Sequence, residues 1–272
     1  MPRPGVGELL RDWRHRRRRS QLDLALDVGV SARHLSFVET GRSRPSPELV
    51  LALAEHLEVP LRGRNAMLLA AGYAPRYPQT PLDDSTMRHV WASLQRMLDA
   101  HHPYPGVVID RQWNVVLANQ AAQLLTAGLP SRVLEPKLNV FRVCLHPDGL
   151  APQTVNFDDW ASYLLRQIGR LIQLTGDPDL EALETEIRAY PNLDHLPAIS
   201  DTDHWDDPPL LVPITLIVGD RELSLFTTLT TFGTPRDVTL EELSVELFFP
   251  ANEATDRALS AASPAAAARS SA

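Results

Sequence analysis

At 272 residues and 44% hydrophobic side chains, the chain can bury a sizeable core as one large domain or two smaller ones, and no apolar run approaches the ~18 residues of a membrane span. The N-terminus carries basic residues without the apolar stretch of a signal peptide, and the single cysteine, Cys144, excludes an internal disulfide framework and a multi-cysteine zinc site, so a cytoplasmic protein without membrane contact is expected. The net charge of −8 is uneven: residues 1–64 hold 12 arginines against 8 acidic side chains, a net of +4, and the remainder carries −12, which fits a nucleic-acid-binding head on a body that avoids polyanions.

Residues 7–19 begin with Leu9, Leu10 and Trp13 at helical spacing and run into RHRRRR, cations that suit a helix C-terminus or a phosphate-contacting arm. Ser20 caps a second predicted helix over 21–28, and Gly29 makes the turn. Ser31 caps a third, in which Leu35 and Val38 face one core. Gly41 stops it, Arg42 and Arg44 follow in a turn, and Pro45 and Pro47 lead into the next helix. Helix, tight glycine turn, helix is the helix-turn-helix outline. A short helix with a polar outer face bordered by cations is what a DNA major groove accepts. A fourth helix is predicted over 47–59, from Leu49, Val50, Leu53, Ala54 and Leu57, and a fifth over 62–71, closed by Gly72. Pro75, Pro78 and Pro81 then make a stiff break.

An amphipathic helix follows over 83–100, with Met87, Val90, Trp91, Leu94 and Leu98 on one side. Residues 106–110 and 113–118 read as strands around a turn, and Asn119 opens a helix over 120–125. Further helices are predicted over 157–174 and 178–189. Strands are predicted over 210–218, 222–231 and 239–249, the last alternatively beginning as a helix at Thr239. The Ala- and Ser-rich tail after Pro250 shows no apolar periodicity and is expected to be disordered. The acidic run 201–207 lacks the ligand spacing and glycine of a calcium loop and reads as solvated. No nucleophile elbow, P-loop or dinucleotide fingerprint is present, so no enzyme and no cofactor are expected.

Ser20-Gln21, Leu24-Ala25, Gly29-Val30-Ser31, Leu35, Val38-Glu39, Gly41-Arg42 and Pro45 give residues 8–72 a pattern that resembles the helix-turn-helix family of phage repressors and xenobiotic-response-element regulators. The run from Arg33 to Phe37, LLAAGYAP at 68–75, HPYP at 102–105, Asp110-Arg111 with Trp113-Asn114, Asn119, His146-Pro147 with Gly149, FGTPRDV at 232–238 and Phe248 to Pro250 resemble its MmyB-like branch. The resemblance covers roughly residues 5–255. It implies a multidomain α and α+β fold: a five-helix repressor-like head at 1–75, a linker helix at 76–102, a PAS-like α+β ligand-binding domain at 103–252 and the tail at 253–272.

The activity implied is sequence-specific binding of double-stranded DNA as a homodimer, since repressor heads take two half-sites about one helical turn apart. Helix geometry in such a complex puts Ala32, Arg33, Ser36 and Phe37 toward the bases. Arg33 is the best reader, its fork matching O6 and N7 of guanine. Phe37 either touches a thymine methyl or packs inward or against a dimer mate. Gln21, Thr40, Arg42 and Arg44 are expected on phosphates, fixing register without reading sequence. Glu39 is out of place facing a polyanion, and the resemblance supplies its partner, Arg14. In the body, Trp113, Phe141, Phe157, Trp160, Leu164 and Phe226 are candidate pocket walls, with Arg142 and His146 as polar anchors. The implied effector is a hydrophobic or amphipathic small molecule, such as a fatty acid or a lactone. The alternative is a body that serves only dimerisation or a protein partner, and non-specific DNA binding remains a third reading.

Overall fold

Each N-terminal helix begins where a side chain or loop can take up its free backbone N–H groups. In the computed structural model, which describes residues 4–196 and 210–262, α1 (Val6–Arg16) starts at Gly5, whose N–H is accepted by Glu8 at 3.0 Å. Ser20, Ser31 and Ser46 cap α2 (Gln21–Asp27), α3 (Ala32–Glu39) and α4 (Pro47–His56), each accepting the backbone N–H three residues on at 3.1–3.2 Å. Pro47 supplies the preset φ at the start of α4. Before α5 (Leu61–Ala70) stands Pro60, which has no capping oxygen in its side chain. The Leu61 N–H is accepted instead by the Glu241 carboxylate at 2.7 Å.

Leu10, Trp13, Leu24, Leu35, Val38, Leu53 and Met67 meet in the core of this first unit. α1 crosses α3 at Gly7, where an added Cβ would stand 2.5 Å from the Val38 carbonyl oxygen, so only glycine permits the approach. The unit takes in residues 233–241 and 173–175 besides 4–82. In it, Asp237 accepts from the Thr80 N–H and hydroxyl at 3.0 and 2.6 Å, beside a helical turn at Val238–Glu241.

The second unit holds a five-stranded antiparallel sheet and its helices. After a 3₁₀ turn at Ser85–Met87, α6 (Arg88–Ala100) leads to β1 (Gly106–Ile109), β2 (Val115–Ala118) and α7 (Gln120–Thr126). Asn119 organises this entry. Its Oδ1 accepts from Gly106 and Ala122 N–H, and its Nδ2 donates to the carbonyls of Leu98 and Tyr104. Helices α8 (Ser131–Leu134), α9 (Val140–Leu145), α10 (Phe157–Thr175) and α11 (Pro178–Arg188) follow. Then come β3 (Ile214–Val218), β4 (Arg221–Thr231) and β5 (Ser244–Pro250), in sheet order β2-β1-β5-β4-β3.

Strand alternation assigns the faces. Val107, Ile109, Ile214, Leu216 and Leu225 pack into one core with Phe141 of α9 and Trp160, Leu164 and Ile168 of α10. The opposite face carries Phe249, against which His101 sets its ring edge at 4.8 Å.

The multidomain α and α+β class is the one expected; several local assignments are corrected. The second strand begins at Val115 rather than 113, because Trp113 takes a φ of +64° in a turn closed by Asp110, whose Oδ1 accepts from Gln112 and Asn114 N–H. The third begins at Ile214 rather than 210. The last predicted strand opens as a helical turn at Val238–Glu241, the alternative left open for it. The tail expected to be disordered forms α12 (Glu253–Ala262). It is stabilised by tertiary contacts: the buried Thr255 hydroxyl accepts the Ser224 N–H at 2.9 Å, and Asp256 accepts the Tyr104 hydroxyl at 2.6 Å. The acidic run 201–207 and residues 263–272 lie outside the described residues.

Candidate functional site

On α3 the buried side chains are Leu35, Val38 and Glu39. Arg33 is exposed, and Ala32, Ser36 and Phe37 are half-buried. Phe37 stands outside the buried core and holds two cations on its ring, the guanidinium of Arg33 at 5.3 Å and that of Arg42 at 5.8 Å. Such contacts restrain long cationic side chains without neutralising them. The backbone N–H groups of Arg42 and Ser43 both return to the Phe37 carbonyl, at 2.8 and 3.0 Å, and so hold the basic turn against the end of α3.

Glu39 is 3% exposed. Arg14 grips it in fork geometry, Nε donating to Oε1 at 2.7 Å and Nη2 to Oε2 at 2.9 Å, and Gln21 Nε2 adds a third hydrogen bond at 2.7 Å. Burial alone would raise this carboxyl. The hydrogen bonds from Arg14 and Gln21 and the charges of Arg14 and Arg11 outweigh it and hold the group below the usual carboxylate range. The three helices α1, α2 and α3 are thus tied at one carboxylate.

The expected phosphate set divides. Gln21, half-buried, has one amide N–H engaged by Glu39. The Thr40 hydroxyl donates back to the Ser36 carbonyl at 2.7 Å. Arg44 lies over the Tyr73 ring at 4.8 Å and donates Nε to the Ala71 carbonyl at 3.0 Å, filling an acceptor left open where α5 ends. Arg42 alone of the four makes its side-chain contact with a ring rather than a hydrogen-bond acceptor. The RHRRRR run also makes contacts within the head. Arg17 stacks on Trp13 and donates to the carbonyls of Leu57 and Glu58 at 2.9 and 3.1 Å, and Arg19 pairs with Asp27.

In the body the expected ligand residues do not line one cavity. Trp113, Phe141, Trp160 and Leu164 are buried core, with Trp113 and Phe141 rings 4.8 Å apart. Phe226 projects from the other sheet face and stacks on Phe249 at 5.5 Å, since successive strand residues point to opposite sides. Phe157 lies beside a hollow of about 330 Å³ lined by Pro147, Pro152, Asn192 and His195. Arg142 forks onto Glu186 at 2.7 and 2.8 Å, which leaves it neutralised as an anchor, and Glu186 also accepts from the Tyr190 hydroxyl. His146 sets its ring edge on Tyr190 at 4.9 Å, and its Nδ1 accepts the Asp148 N–H.

A different cavity, of about 380 Å³, is lined by Leu124 and Leu125 of α7, Leu223 of β4 and Leu259 of α12, with His102 and Arg221 among its polar residues. That is within the usual size of a small-molecule site. It escaped the sequence reading because one wall is α12, in a segment whose sequence shows no apolar periodicity. The Cys144 thiol is buried, and desolvation pushes it up to about 12, beyond nucleophilic use. Among the described residues, no group of three or more His, Cys, Asp or Glu is placed to hold a metal, and no helix is long and apolar enough to cross a membrane.

Two family models match the chain. One, a helix-turn-helix domain, spans residues 6–67; the other, the MmyB-like transcription regulator ligand binding domain, spans residues 90–262. No curated protein matches it.

Proposed function

This chain belongs to the MmyB-like transcription regulators, and from that premise we propose that its head reads a specific DNA sequence while its body responds to a hydrophobic or amphipathic small molecule, fatty-acid-like or lactone-like. The chain is a ligand-modulated regulator built from a helix-turn-helix domain and a ligand-binding domain. In the proposed complex, Ala32, Arg33, Ser36 and Phe37 contact bases. Arg42 leads the phosphate contacts, and Gln21, Thr40 and Arg44 join them only by exchanging bonds inside the head. The division into a head at 1–75, a linker at 76–102 and a sensing body from 103 on is part of the same reading, with α12 now added to the body. Two copies act in the cytoplasm on two half-sites.

The observation that carries the reading is the Arg33–Phe37–Arg42 array on the outward side of a capped, braced helix. Genomic footprinting of bound DNA tests it by returning half-site and spacing together; bound DNA with no shared sequence would leave only non-specific binding. For the body, the apolar cavity between α7 and α12 supports a sensor. Thermal shift and native mass spectrometry with decanoate and γ-decalactone test that part. A second reading, a body used only for dimerisation or a protein partner, draws on Ile217, Val218 and Leu229, exposed on β3 and β4.

A further inference from the structure

β4 runs for 11 residues, and β3 covers only its first part. The β3 ladder begins with Ile214 across from Leu225 and runs back to the hairpin turn. It stops there because Pro213 has no N–H to give and its carbonyl accepts from Asn156 Nδ2 at 2.7 Å. From Phe226 to Thr231, β4 is paired on one side alone, with β5. The register fixes where its backbone groups point. The Ser224 carbonyl accepts the Ala251 N–H at 2.8 Å, which turns Ser224 toward β5. Alternation along the strand then turns Phe226, Thr228 and Thr230 the same way, and Thr227, Leu229 and Thr231 outward. Among the described residues, none of these outward groups has a backbone partner. Thr228 to Thr231 are exposed, Leu229 by 48%.

Folded proteins guard a free edge with a lysine, a proline or a bulge. This stretch has no charge and no proline, and its register against β5 is regular. Its sequence, FTTLTTF from Phe226 to Phe232, is a palindrome about Leu229. We propose that this edge is the surface on which two copies of the chain pair, β4 antiparallel to β4 about a twofold axis at Leu229. In that register Leu229 meets the partner subunit's Leu229, Thr227 meets the partner subunit's Thr231, and Thr228 meets the partner subunit's Thr230. Every outward N–H and C=O of Thr227, Leu229 and Thr231 then finds its complement, and the exposed leucine is covered by its own copy. Like pairs of threonine and of apolar side chains directly opposite one another stabilise a sheet. The residues beyond 64 carry a net charge of −12, so two bodies repel, and an uncharged edge is where they approach at least cost. An extended peptide from another protein could use the same hydrogen bonds, but the palindrome specifies a second copy. The inference rests on the reading of the regulator as a two-copy protein and adds the interface and its register.

The test uses the full chain, read by sedimentation over a concentration series and by cross-linking. Leu229→Lys sets two ammonium groups opposite each other across the axis. Leu229→Pro removes an outward N–H that the β4–β5 ladder does not use. Each is expected to weaken self-association at least about tenfold with the circular dichroism of the parent retained. Leu229→Cys is expected to form a disulfide-linked dimer on mild oxidation, since opposed Cα atoms of a hydrogen-bonded antiparallel pair stand about 5.5 Å apart. Thr231→Cys alone should not, because its copy lies about 14 Å along the strand; mixed with Thr227→Cys chains it should. The native Cys144 is buried and leaves the readout clear. Self-association of Leu229→Lys within about twofold of the parent, no cross-link in Leu229→Cys, or a cross-link in Thr231→Cys alone each overturns the proposal, while a parent dimer keeps the two-copy reading. A parent that stays monomeric at about 100 μM overturns it as well, and a footprint of one isolated half-site would take the two-copy reading with it.

Discussion

Glu39 and Glu246 are both buried carboxyls, and their surroundings push them in opposite directions. Glu39 meets Arg14, Gln21 and Arg11 and is held low; Glu246 meets an apolar layer and is pushed up to about 7 from 4.5, desolvation outweighing the hydrogen bond to Thr227. The signs of their pH effects therefore differ. The Glu39 contribution is present above the ordinary carboxylate range and is lost as the pH falls through its lowered value. The Glu246 contribution is full below 4.5 and is lost as the pH rises through about 7. The charged and titratable groups acting around Glu246 are Cys144, whose thiol stays protonated, and Tyr163, itself influenced by Arg170. Glu246→Gln should flatten the decline of melting temperature between pH 5 and 8 and stabilise by about 3 kcal/mol at pH 8, measured by calorimetry across that range. Glu39→Ala should cost about 3–5 kcal/mol by stranding Arg14. Arg33→Ala should leave melting unchanged and lose about 1–3 kcal/mol of operator preference. Paired melting curves and competition gel shifts check the two, and exchanged phenotypes would refute the division of labour on α3.

At the scale of elements, α3 is short, at eight residues, and gains its rigidity from outside itself. Ser31 caps it, Gly7 lets α1 lie against its end, and Glu39 ties it to α1 and α2. α12 is the converse case. It contributes a wall of the 380 Å³ cavity and depends on Thr255–Ser224 and Tyr104–Asp256 to stay in place. Ending the chain at Ala251 should leave the head's DNA affinity intact and lower the body's stability by on the order of 2 kcal/mol, the loss of one buried and one partly buried hydrogen bond with their packing. It should also abolish any thermal shift from a ligand seated under α12. Fluorimetry on truncated and full chains, with and without γ-decalactone, makes the comparison.

Across the whole molecule the charge is divided, +4 in residues 1–64 and −12 beyond them, so attraction for a polyanion is confined to the head. DNA affinity should fall linearly on a double-logarithmic plot against salt, by about 0.9 per phosphate neutralised. Arg42→Ala should reduce that slope by about one per head. Arg44→Ala should reduce the slope by less than Arg42→Ala does and lower melting, because its guanidinium serves the end of α5 and reaches a phosphate only by leaving it. Binding isotherms between 50 and 200 mM salt separate the two arginines, which look alike in the stretch GRSRP.

The head's helices were readable from residues alone because their causes are local. A serine cap, a glycine at positive φ and an apolar period of 3.6 act within a few positions of one another. The motif pattern likewise marked the helix-turn-helix and the MmyB-like body before any coordinates. What only the tertiary structure decided involves partners distant in sequence. Period-two alternation puts Leu225 and Phe226 on opposite sides of β4 but does not say which side α10 covers, and only the packing of the sheet separates Phe226 from Trp160 and Leu164. Composition made the segment after Pro250 look unstructured, and a buried threonine that accepts a strand N–H from 31 residues earlier made it a helix. Arg44 and Glu246 are ordinary charged letters in the sequence. One becomes a helix-end tie and the other a buried carboxyl with one oxygen unpaired, through what long-range packing brings against them.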